Sequence, residues 1–174
     1  MKKTKSGFSL IELLIVLSII LIVASIAIPN LLRSKLAANE ASAVGSLRTM
    51  VTAQATYSSD YSNGFAPNLG ALGGPSSSTL ATCDHALLID SLLSNNGSGN
   101  ASSKSGYSFA YAPGPSTGAS SSGCSAQGAV SFQITAIPQV IGATGQRGFF
   151  TDESGVIRFT ADGSVPVVGS PPVQ

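Results

Sequence analysis

Tryptophan is absent from this chain of 174 residues, histidine occurs once, at His85, and cysteine twice, at Cys83 and Cys124. Charge is scarce too, with Asp, Glu, Lys and Arg together making up 10% of the residues. One imidazole and a few scattered carboxylates offer no nucleophile–base pair, and no phosphate-binding glycine loop is present, so an enzyme is not expected. Two thiols with no clustered Cys or His make a poor zinc set. Three of the nine cations sit in Lys2, Lys3 and Lys5, and without the first seven residues the side-chain balance turns slightly acidic. That is no nucleic-acid footprint. The reading therefore expects no cofactor, no metal and no nucleic-acid partner.

What the chain does have is one long apolar run, from Phe8 to Ile28, interrupted only by Ser9, Glu12, Ser18 and Ser25. As a helix rising 1.5 Å per residue, it reaches across a bilayer core of roughly 30 Å. Lysines before the run and none inside it predict a cytoplasmic N-terminus, with the rest of the chain facing outward. Ala24–Ala27 loosely imitates a signal cleavage site, but the apolar run continues through it to Pro29. Glu12 is the anomaly, because a lone carboxylate among lipid tails costs several kcal/mol unless it is paired. The nearest downstream cation, Arg33, lies roughly 30 Å further along the helix. A counter-charge from a second copy of the chain is the economical solution, and snorkelling toward the interface is the plainer alternative. Pro29 removes a backbone donor and crowds the preceding turn, so a kink or local opening is expected there.

Past Pro29 the pattern becomes amphipathic, with Leu32, Leu36, Ala43, Val44, Leu47 and Val51 on one face and Ser34, Asn39, Glu40, Ser42 and Arg48 on the other. The division that follows is a basic leader (1–7), an apolar helix (8–28), an amphipathic continuation (29–58), a loop-rich region (59–104) and a strand-rich remainder (105–174). Asn63-Gly64 and the glycines between Pro67 and Pro75 end the helical signal. Residues 84–94 carry a short helix pattern with Asp84 as N-cap and Leu87, Leu88 and Leu92 inward. Residues 95–105 read as an exposed loop. Period-two alternation marks strands at Tyr107–Tyr111 and 129–137, and the turn Asp152–Gly155 joins two more. The expected sheet is thus three or four short antiparallel strands, followed by a frayed tail from Pro166. In an outward-facing region the even pair Cys83 and Cys124 reads as a disulfide, and closing about 40 residues is worth roughly 3–4 kcal/mol on the chain-entropy view.

The stretch Gly7-Phe8-Ser9-Leu10-Ile11-Glu12-Leu13-Leu14-Ile15-Val16, with the stop at Ala27-Ile28-Pro29, resembles the type IV pilin and pseudopilin family. The resemblance is strong over about the first 35 residues and looser in the layout beyond. It implies an α+β pilin-like fold, in which the long helix packs on the antiparallel sheet. It implies cleavage between Gly7 and Phe8 by a prepilin peptidase and N-methylation of the new Phe8 amine. Glu12, then fifth in the mature chain, would neutralise the terminal amine of a neighbouring subunit. The implied partners are further copies in a helical filament, the peptidase, an inner-membrane assembly platform, and the membrane itself before assembly. Many family members carry a mid-anchor glycine where this chain has Leu21, which leaves Pro29 to permit any loosening. Many also bridge a C-terminal loop, whereas Cys83 and Cys124 lie in mid-chain.

A structural subunit of an extracellular filament is the leading reading. A pseudopilin working as a periplasmic piston and a minor tip subunit for adhesion or DNA uptake are the alternatives. The remaining residues take bland roles. His85 decorates the short helix. Asp152, Glu153 and Asp162 lack the spacing of a calcium loop, although some pseudopilins bind calcium. Asp152 is expected to pair with Arg147 or Arg158 across the hairpin. About half of Phe149, Phe150, Phe159, Tyr107, Tyr111 and Phe132 are expected in the core, and Tyr57 and Tyr61 are candidates for contact with a neighbouring subunit. Asn96 and Asn100 head two glycosylation sequons in an exposed loop.

Overall fold

The computed structural model describes residues 8–173. The basic leader, with Gly7 at its end, lies outside the described residues. The chain divides into two units, 1–35 and 36–174, and one helix, α1 (Leu10–Tyr61), contributes to both. The compact unit therefore begins at Leu36, inside the stretch assigned to the amphipathic continuation.

In the first unit α1 buries nothing. Its large aliphatic side chains from Leu10 to Leu32 are exposed. Three of its polar side chains turn back onto the helix: Ser18 Oγ donates to Leu14 O (2.8 Å), Ser25 Oγ to Ile22 O (2.7 Å) and Asn30 Nδ2 to Ile26 O (3.1 Å). Such bonds hide hydroxyl and amide protons on an otherwise apolar cylinder.

In the second unit the inward stripe of α1 runs through Glu40, Ala43, Leu47, Met50, Gln54 and Tyr57, alternating steps of three and four residues. It meets one face of a five-stranded sheet built from β1 (Ala101–Lys104), β2 (Tyr107–Pro113), β3 (Phe132–Pro138), β4 (Gly148–Asp152) and β5 (Arg158–Thr160). The strands lie in sequence order and every pair is antiparallel, with Tyr107 opposite Pro138 and Tyr111 opposite Ile134 in the β2–β3 ladder. Alternate residues Tyr107, Phe109 and Tyr111 of β2, and Phe132, Ile134 and Ala136 of β3, fill the core, as the two-residue period demands. The α+β architecture of a long helix on an antiparallel sheet is thereby established.

Several expectations need correction. The sheet has a fifth strand, β1, in a segment read as loop, and it joins β2 through a two-residue turn with Ser105 (φ 51°) and Gly106 (φ 74°) in the left-handed region. Residues 84–94 form no α-helix. They pair backbone to backbone with the short helix α2 (Leu69–Leu72) and its end: Ala86 N donates to Ala71 O and Leu88 N to Leu72 O (both 2.8 Å), and Leu87 N to Gly73 O (2.9 Å). Ala86 is buried, whereas Leu87 and Leu92 are exposed. Asp84 caps no helix; it binds Ser125. The tail is not frayed within its described residues, because Phe159 N donates to Pro171 O (2.9 Å) and Val173 N to Ile157 O (2.8 Å). Tyr57 is fully buried and no surface residue. Five of the six core-candidate aromatics are buried, all but Phe159.

Candidate functional site: the N-terminal helix and its anchorage

The helix begins where Ser9 O accepts from Glu12 N (3.1 Å) and Leu13 N (3.2 Å). Glu12 falls in the first turn, where unpaired amide donors concentrate positive potential and favour a carboxylate. No ion pair engages it among the described residues; the two present there are Lys104–Asp90 and Arg147–Glu40, both in the second unit. Phe8, the expected first residue of a mature chain, is exposed. From Leu10 onward the helix is long enough and apolar enough to cross a bilayer. An exposed aliphatic surface of this extent is far beyond what a soluble chain leaves uncovered.

Pro29 stands inside the helix, which continues through it. Its ring has no N–H, so the Ser25 carbonyl loses its helical donor, and the Asn30 side chain supplies an additional donor to the adjacent Ile26 carbonyl. Glu12 and Pro29 are separate points on one helix.

The cysteines do meet. Cys83 and Cys124 form a disulfide with their Cα atoms 5.1 Å apart. Tyr57 donates its hydroxyl to Cys83 O (3.0 Å).

The sequence reading missed how α1 is fastened to the sheet. Glu40, assigned to the polar face, is buried. Its Oε1 accepts from Gln146 N (2.9 Å) and Arg147 N (3.2 Å), and its Oε2 from Arg147 Nε (2.7 Å). Burial alone pushes this carboxyl up, but the donors and the guanidinium outweigh it and hold it below its ordinary value. Arg147 in turn lies over the rings of Phe149 and Phe159, at 5.5 and 5.6 Å. The expected pairing of Arg147 or Arg158 with Asp152 is not formed: Asp152 instead accepts from Ser154 N (3.0 Å), and Arg158 Nη1 donates to Ser170 O (2.9 Å). On either side of Glu40, Asn39 Nδ2 donates to Thr144 O (2.8 Å) and Ser42 Oγ to Ser105 Oγ (3.0 Å). Gln54 repeats the device deeper in, with Oε1 accepting from Ala66 N (2.8 Å) and Nε2 donating to the Tyr111 hydroxyl (3.0 Å), which itself donates to Ala66 O. The available signal was positional, since Glu40 and Gln54 fall in the same three–four spacing as Ala43, Leu47 and Tyr57.

Comparison with known proteins bears on the first segment. A family model described as the prokaryotic N-terminal methylation motif matches residues 2–28. This chain carries a prepilin-type methylation motif. The motif covers the basic stretch, Gly7, Phe8, Glu12 and the apolar run. Two relatives are similar over part of the chain. One is a type IV major pilin protein PilA of Myxococcus xanthus, 42% identical over 72 residues, or 37% of this chain and 33% of the relative. The other is the type IV wide pilus major component PilA4 of Thermus thermophilus, 41% identical over 70 residues, or 40% of this chain and 53% of the relative. The similarity thus spans about a third to a half of the relatives' length. No solved structure matches the chain.

Proposed function

We propose that this chain is a structural subunit of an extracellular filament of the type IV pilus kind. In this reading the segment 1–7 is removed after Gly7 by a prepilin peptidase and the Phe8 amine is methylated. The helix is held in the inner membrane with its N-terminus cytoplasmic, and an assembly platform then passes it into a bundle of further copies. One observation carries the proposal: the stretch of α1 from Leu10 to Leu32, whose large aliphatic side chains are all exposed, with one carboxylate in its first turn and no ion-pair partner for it among the described residues of its own chain. Bundling covers that surface at roughly 25 cal/mol per Å2 wherever water is displaced, and by close packing where lipid is displaced. Glu12 paired with the terminal amine of a neighbour sets the register more than it adds stability, because both charges lose hydration. The names of the two relatives, both major pilus components, favour this reading over the periplasmic piston.

The test is made in cells. Glu12→Ala is expected to leave membrane insertion intact while sheared-filament yield falls at least about tenfold, the loss of roughly 1.4 kcal/mol or more of assembly free energy. Normal filament yield from that variant rejects the pairing. Gly7→Val is expected to accumulate uncut precursor, and mass spectrometry finding a mature Phe8 terminus in it rejects the processing step.

A further inference from the structure

The segment between β2 and β3, residues 114–131, is rich in serine and glycine, and the disulfide is not the only thing that docks it. Asn63, just past the end of α1 and 2% exposed, brackets Cys124 on both sides: its Oδ1 accepts from Ser121 N (3.0 Å) and its Nδ2 donates to Ala126 O (3.1 Å). Beside Cys83, Asp84 accepts from Ser125 N (3.0 Å) and Ser125 Oγ (2.7 Å), next in sequence to Cys124. Ser121 Oγ donates to Ser62 O (2.8 Å). Tyr57 holds the other cysteine by donating to Cys83 O (3.0 Å), and Asn63 Nδ2 also reaches Cys83 Sγ (3.8 Å). Each sulfur is therefore positioned by hydrogen bonds that do not require the S–S bond.

We propose that Asn63, assisted by Asp84, is a non-covalent latch that docks residues 120–126 before the disulfide forms and keeps them docked after it is reduced. The physical ground is a sum of bonds: docking pairs both polar ends of the Asn63 amide and both oxygens of Asp84 with the segment, and each such bond is a net gain over its bond to water. Reduction returns conformational freedom to the loop closed between residues 83 and 124, but it removes none of those hydrogen bonds. Two consequences follow. The cysteines meet in a site already formed, and the exposed face of the loop keeps one shape in both redox states.

Hydrogen exchange read by mass spectrometry tests this on the full chain in detergent, with and without dithiothreitol. The reagent gives two electrons and two protons to the disulfide, leaving two thiols and its own cyclic disulfide. In the wild type, the amides of Ser121, Cys124 and Ser125 are expected to exchange within about tenfold of their oxidised rate after reduction, because the bonds that protect them persist. In Asn63→Ala the amides of Cys124 and Ser125, whose acceptors are not Asn63, should stay slow while oxidised and accelerate by about a hundredfold or more once reduced. At the Cys124 amide, which keeps its acceptor, reduced Asp84→Ala should fall between. Reduced wild type exchanging as an open chain overturns the proposal, and so does reduced Asn63→Ala exchanging as slowly as wild type. Peptides from β3 report whether each variant is folded; if Asn63→Ala is not, the reduced wild type and reduced Asp84→Ala decide.

Discussion

Glu12 and Glu40 are the two glutamates of α1, and their surroundings differ completely. Glu40 receives two main-chain N–H groups and a guanidinium from its own chain, whereas Glu12 receives no ion-pair partner among the described residues. Glu40 is accordingly a folding residue. Replacing it with Gln keeps the size but turns an amide's donors toward donors, at a cost of about 1–3 kcal/mol, or several degrees of melting temperature. The pH dependence has a definite sign. A carboxyl held below its ordinary value binds fewer protons folded than unfolded, so its contribution is complete above the unfolded carboxylate range, about pH 4.3, and is lost as pH falls through the lower, folded value. Thermal melts from pH 7 to pH 2 should show the gap between wild type and Glu40→Gln closing at the acid end. A gap that stays constant with pH would remove the charge from the explanation and leave only shape.

At the scale of elements, the two edges of the sheet are finished differently. The β5 edge is covered by the tail, through Phe159 N to Pro171 O, Val173 N to Ile157 O and Arg158 Nη1 to Ser170 O, and the two prolines at 171 and 172 offer no donor to a further strand. A chain ending at Val168 loses those three hydrogen bonds, about 2–4 kcal/mol, and bares a three-residue strand that is marginal alone. Its Phe159 amide should exchange with solvent far faster than in the full chain, and its globular part should associate with rising concentration in sedimentation. Unchanged exchange at Phe159 would show that the tail covers the edge without stabilising it. The tail was read as frayed because prolines and valines without alternation carry no strand signal; the pairing comes from β5, not from the tail's own pattern. The same holds for β1. Ala-Ser-Ser-Lys has no aromatic or branched side chain to announce a strand, and the left-handed turn at Ser105-Gly106 is what folds it onto β2. By contrast β2 and β3 were legible, since their aromatic and branched residues alternate and the alternate set is what the core holds. Residues 84–94 misled in the other direction. Their leucines have helical spacing, but a segment this short is not helical alone, and Leu87 at φ 55° breaks the run while the backbone pairs with α2. Glu40 and Gln54 were hidden for a different reason: counting only apolar residues on a stripe overlooks polar ones whose partners are supplied by distant strands.

At the scale of the molecule, the signal for the candidate site is local in sequence and the signal for the fold is not. The residues proposed for processing and assembly lie in one stretch, a basic segment, Gly7-Phe8, Glu12 and an apolar run, which the methylation-motif model matches over residues 2–28. The fold depends on pairings between residues a hundred positions apart, such as Glu40 with Arg147, which no local pattern encodes. The division of labour also separates physically. Every buried core residue lies within 36–174, from Ala43 to Ile157, and the uncovered aliphatic surface of α1 lies before Lys35. A fragment of residues 36–174 should therefore fold on its own. Its hydrophobic core, the Glu40 clamp and the disulfide are all inside it. Without the bilayer-length helix it should be monomeric in water without detergent and melt cooperatively within a few degrees of the full chain in detergent, because the buried core residues all lie in the retained segment. It should also fail to enter filaments when expressed beside the intact chain, since the surface that bundles is gone. A fragment that is unfolded, or that co-purifies with sheared filaments, would show that the first 35 residues stabilise the second unit or that assembly runs through the globular surface instead of the helix.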